Sequence, residues 1–438
     1  MRILFLTQYF PPEVGAAQNR IAYFAKHFVS SGHDVTVLTA MPSYPQGRIF
    51  DEYQGKWILE EQWEGMRVVR VRTYVTRSKA TIRRLMNFFS FVLTSVLAGI
   101  CKCGKQDVVV LESPPLFLGM SGLLLKFVKK AKLALNVADL WLDSAVAMGI
   151  VRNRIVIRTC GWLEKLIYSH SELITGQTRG IVEGIESHAP GKPVALITNG
   201  AEIPALSERP DDVAEIRKMF GWGETFVVGY VGTHGMVHGL DTVLEAANLL
   251  AEHKKIRFVL FGDGTDKERL VALAQKRELK NVAFYPPQPR ARILEILRCF
   301  DVALVPVRGL QLFRGALPSK MFEVMGAGIP VVASLSGEAQ VVIEEARAGI
   351  CVPPEDCRAV ADAILRLFKD AGLRAEMGAS GRRYILKHFN RKDIADKYER
   401  LLVETASRRR SDIWPIVAAP SERIPEKYSK ASESGSGG

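Results

Sequence analysis

The sequence offers little with which to build a metal site or a disulfide framework. Its six cysteines form no C-x2-C pair, and no histidine stands near them at the spacing of zinc ligands. Neither H-E-x-x-H nor a D-x-D motif at the end of a candidate strand occurs in the chain. These absences exclude the common zinc modules and predict a reduced, intracellular protein that uses no bound metal or other cofactor.

The chain also lacks a secretory leader and a dinucleotide fingerprint. MRILFLTQYF runs directly into PPEVG, which predicts a first strand followed by its loop. That loop contains Gly15-Ala16-Ala17 in place of G-x-G-x-x-G, and no acidic residue directly follows the second candidate strand, which leads into Ala40. Both features argue against NAD binding.

Negative charge is in short supply. Lys and Arg number 59 against 47 Asp and Glu, which gives a net charge of +12 and a pI near 9.4. This balance predicts an acidic partner, which is a phosphorylated substrate, an anionic lipid surface or a nucleic acid. The basic residues are scattered without interleaved aromatic residues, so we expect no nucleic-acid binding.

The longest apolar segment, Leu85–Ile100, is shorter than the roughly 20 residues that a membrane-spanning helix needs. Arg83 and Arg84 precede it and Lys102 follows it. Two interpretations remain open. The segment either lies on an anionic membrane surface with its basic flanks on the headgroups, or forms a buried helix that packs on a sheet.

Short aliphatic segments alternate with longer helical patterns, which is typical of βαβ units and parallel sheets. The candidate strands are Arg2–Thr7, Asp34–Thr39, Arg67–Arg72, Asp107–Leu111, Leu133–Val137, Leu173–Thr175, Val194–Ile197, Phe226–Val231, Arg257–Phe261, Val282–Tyr285, Val302–Pro306, Pro330–Ala333 and Gly349–Val352. Their continuously apolar character indicates strands covered on both faces by helices. The predicted fold class is therefore α/β, with two doubly wound domains.

We place the boundary between the two domains in a linker around Asn199–Pro210. Residues 1–203 are assigned to the first domain and residues 204–384 to the second. Residues 385–406 are predicted to form one or two helices with charged faces. Residues 407–438 lose periodicity and gain Ser, Gly and Pro, which predicts a disordered tail.

Leu317–Ser334 is the most informative stretch of the chain. A Pro-Ser-Lys turn, which includes Ser319, leads into a helix that carries Lys320 and Glu323 one turn apart, so both side chains share a face. The start of the helix offers its positive end to an anion, and Glu323 can accept hydrogen bonds from a sugar diol. An ordinary exposed ion pair is the alternative interpretation.

Two glycine-rich loops follow strands of the second domain. GTHGMVHGL places Gly232, Thr233, His234 and Gly235 between a strand and a helix, which suits a diphosphate, and His234 or His238 could add a donor. A core or solvated histidine is the alternative for His234. Gly262, in the FGDG loop, would close the nucleotide side, although such turns are also common for conformational reasons alone.

In the first half of the chain, NVADLWLDS places Asp139 just beyond a strand end. A carboxylate at this position could orient or deprotonate an acceptor hydroxyl. Asp139 could equally be a helix N-cap, because spacing does not separate the two roles.

Taken together, these motifs resemble those of the retaining GT-B glycosyltransferases of family 4, and the resemblance covers nearly the whole chain. PPEVGAAQNR resembles the family's first acceptor-side loop, GTHGMVHG its diphosphate loop, ITNGAE its hinge motif and LPSKMFEVMGAGIPVVAS its donor helix. The resemblance implies two Rossmann-like domains facing across a cleft, and a nucleotide sugar held mainly by the second domain without a metal. It also implies a final helix that packs back toward the first domain.

The resemblance also implies roles for individual residues. Glu323 matches the family glutamate that binds the donor ribose, and Lys320 lies in the adjoining turn, where a diphosphate contact is expected. The candidate donor-binding residues are Gly232, Thr233, His234, Gly235, Gly262, Arg314, Ser319, Lys320 and Glu323. The candidate acceptor-side residues are Gly15, Ala16, Asn19, Asp139 and Asn199. Asp139, Lys320 and Glu323 are the candidates for catalysis.

The sequence departs from the family pattern at two places. Many members carry an acidic residue beside the transferred sugar, eight positions before the ribose glutamate, where this chain has Gly315. Many also carry an Arg and a Lys in the diphosphate loop, where Thr233 and His238 stand. Because of the second departure, we expect Lys320 and Arg314 to provide more of the positive charge that binds the diphosphate.

The Pro-Ser-Lys and Asp-Leu-Trp segments resemble those of bacterial O-antigen and capsule transferases of the N-acetyl-L-fucosamine transferase type. This finer resemblance implies a UDP-linked N-acetylamino sugar as donor and an undecaprenyl-diphosphate-linked saccharide as acceptor, at the cytoplasmic face of the membrane. Two alternatives stay open: a nucleotide-sugar 2-epimerase, and a non-catalytic membrane- or partner-binding protein on the same scaffold.

Overall fold

The computed structural model describes residues 1–202, apart from Val14, Pro45 and Lys79, and residues 213–408. The proposed boundary between residues 203 and 204 lies outside the described residues. So does the predicted tail, except for Ser407 and Arg408.

Strands and helices alternate through the first half of the chain. In chain order they are β1 (Arg2–Leu6), α1 (Ala16–Ser30), β2 (Asp34–Ala40), β3 (Ile58–Trp63), β4 (Met66–Val71), α2 (Thr81–Lys102), β5 (Val108–Ser113), α3 (Leu118–Lys129), β6 (Lys132–Val137), α4 (Trp141–Ala147), α5 (Arg154–His170), β7 (Leu173–Gly176), α6 (Arg179–His188) and β8 (Val194–Leu196).

The same alternation continues in the second half. Its elements are α7 (Val213–Met219), β9 (Phe226–Val231), α8 (Leu240–Leu249), β10 (Ile256–Phe261), α9 (Lys267–Lys276), β11 (Val282–Tyr285), α10 (Arg290–Leu297), β12 (Val302–Leu304), α11 (Ser319–Gly326), β13 (Val331–Ser334), α12 (Glu338–Glu345), β14 (Gly349–Val352), α13 (Cys357–Lys369), α14 (Ala371–His388) and α15 (Arg391–Ser407). Short 3-10 turns occupy Asp51–Tyr53, Met236–His238 and Gln311–Phe313.

The strands form two separate sheets, which confirms the predicted α/β class with two Rossmann-like domains. The first has eight strands in the order β3-β4-β2-β1-β5-β6-β7-β8, and the second has six in the order β11-β10-β9-β12-β13-β14. All pairs within them are parallel except β3 with β4. In each sheet the strand order reverses beside the first strand of the domain, which is where open α/β sheets bind ligands.

β3 is the one strand of the described residues that the sequence analysis did not predict. It pairs with β4 as a hairpin whose turn is Glu64-Gly65, with φ angles of 49° and 81°. Its residues alternate between exposed and partly buried because it lies at the sheet edge. The feature of the sequence that could have indicated this strand is the ILEEQW segment, in which polar and apolar residues are mixed before a Glu-Gly turn.

Each sheet buries apolar side chains on both faces. Along β1, Ile3 and Phe5 enter one cluster of buried residues, and Leu4 and Leu6 enter another on the opposite face. Two further clusters cover the faces of the second sheet in the same way. This arrangement explains why the strands are continuously apolar and not alternating.

The last helix, α15, packs on the first domain although it follows the second in sequence. Ala395, Tyr398 and Leu402 belong to a buried cluster of the first domain. The ring of Tyr398 lies 5.4 Å from the ring of Phe24 and 5.9 Å from that of Phe28, centroid to centroid. The chain therefore crosses between the domains a second time.

Helix α2 combines features of both interpretations of Leu85–Ile100. Phe91, Ser95 and Ala98 are buried, and the Ser95 hydroxyl lies 3.0 Å from that of Ser121 on α3. The opposite face is exposed. Ile82–Lys102 is long and apolar enough to cross a membrane by length and composition, and 22% of its most apolar window is buried.

A buried ion pair joins α1 to the centre of the first sheet. The guanidinium of Arg20, whose side chain is 1% exposed, pairs with Glu112 at the end of β5. Arg20 also donates to the Asn136 side chain at 3.2 Å, and Asn136 donates to Glu112 at 2.8 Å. The pair thereby fixes the start of α1 beside the carboxyl ends of β5 and β6.

Removal of Glu112 is expected to destabilise the first domain strongly. Glu112→Ala leaves the buried Arg20 charge without its partner, which should lower the free energy of unfolding by about 3–5 kcal/mol. Urea unfolding followed by near-UV circular dichroism measures the loss. The double variant Arg20→Met with Glu112→Leu should recover most of it, because no charge is then left uncompensated. A loss below about 1 kcal/mol in Glu112→Ala would contradict the pair's proposed role.

Candidate active site

A lysine and a tyrosine lie at the carboxyl end of β9. The Lys320 amine donates a hydrogen bond to the Tyr230 hydroxyl at 2.8 Å and lies 4.0 Å from the centre of the Tyr230 ring. Tyr230 in turn donates to the carbonyl of Thr233 at 2.8 Å. A Cβ at Gly232 would lie 2.9 Å from the Lys320 amine, so glycine at this position admits the lysine. The structure thus brings together Lys320 of the donor helix and the predicted diphosphate loop.

The Lys320 amine has no acidic partner among the described residues. Desolvation alone lowers the pKa of Lys320 to about 7, because burial disfavours the charged form. An anion placed beside the amine would restore its charge and gain a strong interaction in a site with little water. This arrangement suits a ligand that brings its own negative charge.

The loops after β9 and β10 are held together by backbone hydrogen bonds. Gly232 N–H donates to Phe261 at 3.0 Å, and His234 N–H donates to Asp263 at 2.8 Å. A Cβ at Gly262 would lie 1.9 Å from the Gly232 carbonyl oxygen, and Gly262 has a φ of 144°. The close approach therefore requires glycine at position 262.

The His234 side chain is buried inside the second domain. Its ring is 0% exposed and lies 5.8 Å from the Tyr230 ring and 5.9 Å from the Phe284 ring. Burial, followed by Lys267 and Lys320, lowers the pKa of His234 to about 4, so the imidazole is neutral. The packing of the loop directs this side chain inward, and its contact with a donor stays a prediction. Burial likewise lowers the pKa of His238, to about 3.

Lys267, which the sequence analysis did not single out, supports the same loops. It is the first residue of α9, and its amine donates to the carbonyl oxygens of Gly262 at 2.7 Å and Tyr285 at 3.3 Å. A lysine at a helix N-terminus is electrostatically unfavourable by itself. The feature of the sequence that could have indicated this role is the position of Lys267 shortly after the Gly-Asp-Gly loop.

The donor helix α11 presents its polar side chains outward. Ser319, Lys320 and Glu323 are partly exposed, and Thr233 is exposed nearby in the diphosphate loop. Four apolar residues of the same helix, Met321, Phe322, Val324 and Met325, are buried. Lys320 and Glu323 therefore share the accessible face, as one helical turn of spacing requires.

Arg314 and Gly315 lie just before α11, at the boundary between the domains. The Arg314 carbonyl accepts a hydrogen bond from the Glu338 N–H at 2.7 Å, and its side chain is exposed. A Cβ at Gly315 would lie 3.2 Å from the Cα of Gly180 in the first domain. The family's acidic residue is thus replaced at a point of close interdomain contact.

Gly15, Ala16 and Asn19 form the start of α1 in the first domain. Gly15 occupies the N-cap position, Ala16 is exposed, and Asn19 N–H donates to the Gly15 carbonyl at 3.0 Å. Nearby Glu13, missed by the sequence analysis, is buried and accepts N–H bonds from Phe10, Ser43 and Tyr44 at 3.1, 2.8 and 2.8 Å. These bonds tie the loop after β1 to the loop after β2.

Asn199 lies where the chain leaves the first domain. Its carbonyl accepts a hydrogen bond from the guanidinium of Arg391 at 3.0 Å. Arg391 is the first residue of α15, so Asn199 is held where the two crossings between domains run side by side.

The structure does not place Asp139 as a helix cap. Helix α4 begins at Trp141 with Leu140 in the N-cap position, and no side chain caps it. The Asp139 carboxylate instead accepts a hydrogen bond from the Ser144 hydroxyl at 3.0 Å, and desolvation raises its pKa. Ser144 belongs to the same domain, so this contact does not bring Asp139 to the donor-side loops.

Two parallel-sheet domains joined by a double crossover, with glycine loops and a lysine at the carboxyl edge of the second, define the GT-B class of glycosyltransferase. Residues 15–200 match the sequence model of the Glycosyl transferase 4-like domain, and residues 212–384 match that of the Glycosyl transferases group 1 family. The chain therefore belongs to the glycosyltransferases, with one domain of each of these two families.

Relatives and solved structures agree with this assignment. One relative is the putative colanic acid biosynthesis glycosyl transferase WcaI of Escherichia coli, which is 26% identical to this chain over 374 residues. The match covers 82% of this chain and 90% of WcaI. The D-inositol 3-phosphate glycosyltransferase of Acidothermus cellulolyticus is 34% identical over 196 residues, 42% of each chain.

Among solved structures, Anabaena HepE in complex with UDP-glucose superimposes with a TM-score of 0.71 at 16% identity, covering 92% of this chain and 100% of HepE. WaaG, a glycosyltransferase involved in lipopolysaccharide biosynthesis, superimposes with a TM-score of 0.67 at 16% identity, covering 91% and 99%. At this identity the likeness shows the shared fold.

The lowered pKa of Lys320 predicts a pH-dependent stability of the ligand-free protein. Between about pH 7 and the unfolded pKa of roughly 10.4, the unfolded state binds a proton that the folded state does not. Stability should therefore rise with pH through this window, and fall as pH decreases toward 7. The difference in urea midpoint between the parent protein and Lys320→Met should change with pH accordingly.

Lys276→Met, which removes an exposed lysine on α9, controls for the loss of one positive charge. Parallel pH curves for the parent protein and Lys320→Met would show that the amine titrates normally in the fold.

Proposed function

We propose that this chain is a retaining, metal-independent hexosyltransferase that uses a nucleotide-sugar donor, UDP-linked, and a lipid-diphosphate-linked saccharide acceptor. The product would be an O-antigen, capsule or exopolysaccharide precursor. The single observation that carries the donor half is the Lys320 amine, which lies beside the Gly232 loop without an acidic partner in the part of the chain that the structure describes. A nucleoside diphosphate supplies the missing charge.

The leaving diphosphate would be stabilised by the second domain. Lys320 lies near the start of α11, so its ammonium and the first amides of that helix act on the same developing charge. The Gly235 amide, with Thr233, would complete the cradle, whereas the Gly232 N–H is already bonded to the Phe261 carbonyl. These groups are fixed before the donor arrives, so little reorganisation is needed during transfer. The UDP and UDP-glucose complexes of Anabaena HepE support a UDP donor.

Glu323 would bind the donor ribose through hydrogen bonds to its hydroxyl groups. It lies one turn after Lys320 on the same face of α11. Ser319 and Arg314 flank this face at the N-terminal side of the helix.

The acceptor would enter between the domains and attack the sugar on the face that the diphosphate leaves. Orientation of the two substrates and stabilisation of the leaving group would then supply most of the rate. Asp139 is the proposed acceptor-positioning carboxylate, since its raised pKa suits exchange of a proton with a hydroxyl. Gly15, Ala16, Asn19 and Asn199 would line the acceptor side. The N-acetylamino sugar rests on the finer family resemblance alone and stays a prediction.

Loss of the Glu323 carboxylate should weaken both donor binding and turnover. Glu323→Ala removes charge-assisted hydrogen bonds to the ribose, so donor KM should rise and kcat/KM should fall by roughly 100-fold or more. Isothermal titration with UDP measures the binding loss without any acceptor. Glu268→Ala, an exposed glutamate on α9, serves as the control. Near-normal UDP affinity and kinetics in Glu323→Ala would overturn the assignment of the donor helix.

The acceptor half of the proposal rests on an apolar surface formed by α2 and α3, which pack side by side. Its exposed apolar residues are Ile82, Met86, Phe89, Leu93, Leu97 and Ile100 on α2, and Met120, Leu124, Phe127 and Val128 on α3. Arg83, Arg84 and Lys130 are exposed at its margins. Apolar area bordered by basic residues suits the surface of an anionic membrane, where a lipid-linked acceptor resides. We therefore propose a peripheral location on the cytoplasmic face of the membrane.

Charged substitutions in the α2–α3 surface should release the protein from membranes. Leu93→Glu with Leu97→Glu places two carboxylates where apolar side chains now reach solvent, and should weaken binding to phosphatidylglycerol vesicles at least about 10-fold. Arg83→Glu with Arg84→Glu should weaken binding to these vesicles but not to neutral ones. Val403→Glu on α15 is the matched control, because Val403 is exposed and apolar but outside this surface. Unchanged vesicle binding in both double variants would remove the membrane proposal.

A further inference from the structure

Three loop segments meet where the first domain contacts the second. Arg179-Gly180 begins α6 of the first domain. Arg314-Gly315 precedes the donor helix, and Gly337-Glu338 begins α12 of the second domain. The proposed function makes no use of Glu338 or of the replacement of the family acid by Gly315.

The Glu338 carboxylate caps a helix of the opposite domain. One of its oxygens accepts the Arg179 N–H at 3.0 Å, and the other accepts the Gly180 N–H at 3.1 Å. The next amide, that of Ile181, donates to the Thr178 side chain at 3.2 Å. The first three amides of α6 therefore all have hydrogen-bond acceptors. For two of these amides the acceptor is Glu338 of the second domain. A carboxylate is favourable here because the N-terminus of a helix carries partial positive charge.

Gly315 lets the two domains approach closely at this point. A Cβ at Gly180 would lie 2.8 Å from the Cα of Gly315, and a Cβ at Gly315 would lie 3.2 Å from the Cα of Gly180. A side chain at position 315 would therefore require Gly180 to shift by a few tenths of an ångström while the domains are in contact. The carboxylate at this interface comes instead from Glu338.

The loop that carries Gly315 is fixed to Glu338 as well. The Glu338 N–H donates to the Arg314 carbonyl at 2.7 Å. Gly337 has a φ of 89°, and a Cβ there would lie 2.1 Å from the Arg314 carbonyl oxygen. The Glu338 backbone is thus held to the turn that leads into Ser319 and Lys320 by a bond that does not involve its carboxylate.

The contact is local and adjoins open space. Beside it lies a cavity of about 520 Å³ between the domains, lined by Arg179 and Glu338 together with Glu345, Lys387 and His388. A polar contact at the margin of a cavity can open and close without disrupting either hydrophobic core.

We propose that Glu338 is an interdomain positioning residue, which holds the cleft closed by binding the N-terminus of α6, and that Gly180 and Gly315 permit this closure. The contact would set the distance between the acceptor side of the first domain and Lys320 of the second. It goes beyond the proposed function, because it depends on the two-domain architecture and not on the identity of the sugar or acceptor.

Small-angle scattering of the full chain tests the proposal independently of transfer activity. Glu338→Ala should increase the radius of gyration, both alone and with UDP, because the closed arrangement loses its charged contact. Glu338→Gln should fall between the parent protein and Glu338→Ala, since a carboxamide offers one acceptor oxygen in place of two. Glu344→Ala, an exposed glutamate on the same helix, is the control and should leave the radius unchanged.

Gly180→Ala provides a second route to the same effect from the other domain. Its methyl group separates the two glycines without touching the donor loops, and should open the molecule as Glu338→Ala does. UDP affinity should stay within about 2-fold of the parent in both variants, whereas kcat for any transfer detected should fall at least about 10-fold.

Two results would overturn the proposal. The first is a radius of gyration that is unchanged in both Glu338→Ala and Gly180→Ala. The second is a loss of UDP affinity in Glu338→Ala that matches the loss of kcat, because Glu338 would then act on the donor loops and not on closure. The first result does not depend on whether the donor or the acceptor has been correctly identified.

Discussion

Parallel strand pairing is the constraint on which the rest of this structure depends. Within each domain the strands that surround the switch point run in one direction, so their following loops leave the sheet at one edge. β9 lies between β10 and β12, which places the Gly232 loop beside the Gly262 loop on one side and the segment leading to α11 on the other. Lys320 meets Tyr230 and Gly232 for this reason, although 90 residues separate the tyrosine from the lysine along the chain. The same geometry in the first domain collects the start of α1 and the end of β5 around the Arg20–Glu112 pair.

The two domains differ in how the positive charge of a buried side chain is compensated. In the first domain a buried arginine is compensated by a glutamate of the same domain. In the second, Lys320 is desolvated beside a phenol without an acidic partner among the described residues, so that site gains most from an anionic ligand. Glu338 joins the two by placing a carboxylate of one domain on the helix N-terminus of the other. We therefore propose that donor binding and closure depend on different charged groups.

Sequence patterns recovered elements whose character is local. Phe226–Val231, Val282–Tyr285 and Gly349–Val352 were predicted with the bounds that the structure has, because a buried parallel strand is apolar throughout. β3 was missed because an edge strand is exposed on alternate residues and resembles a polar loop. Lys320 and Glu323 share a face because helix geometry fixes residues three apart. His234 was assigned to the donor, but its burial depends on Tyr230 and Phe284, which come from two different strands.

The sequence by itself determined the α/β class and the presence of two domains, because hydrophobic periodicity is a property of short segments. The glycosyltransferase family followed from the resemblance of the motifs to those of known members. The sequence also marked Gly315 as unusual, but gave no reason for the substitution. Only the tertiary structure decided that Gly315 faces Gly180, that Glu338 caps α6 of the other domain, and that the Lys320 amine is desolvated. Each of these depends on atoms brought together from distant parts of the chain. Desolvation and interdomain contact are set by what surrounds a side chain, and that surrounding exists only once both sheets have formed and packed.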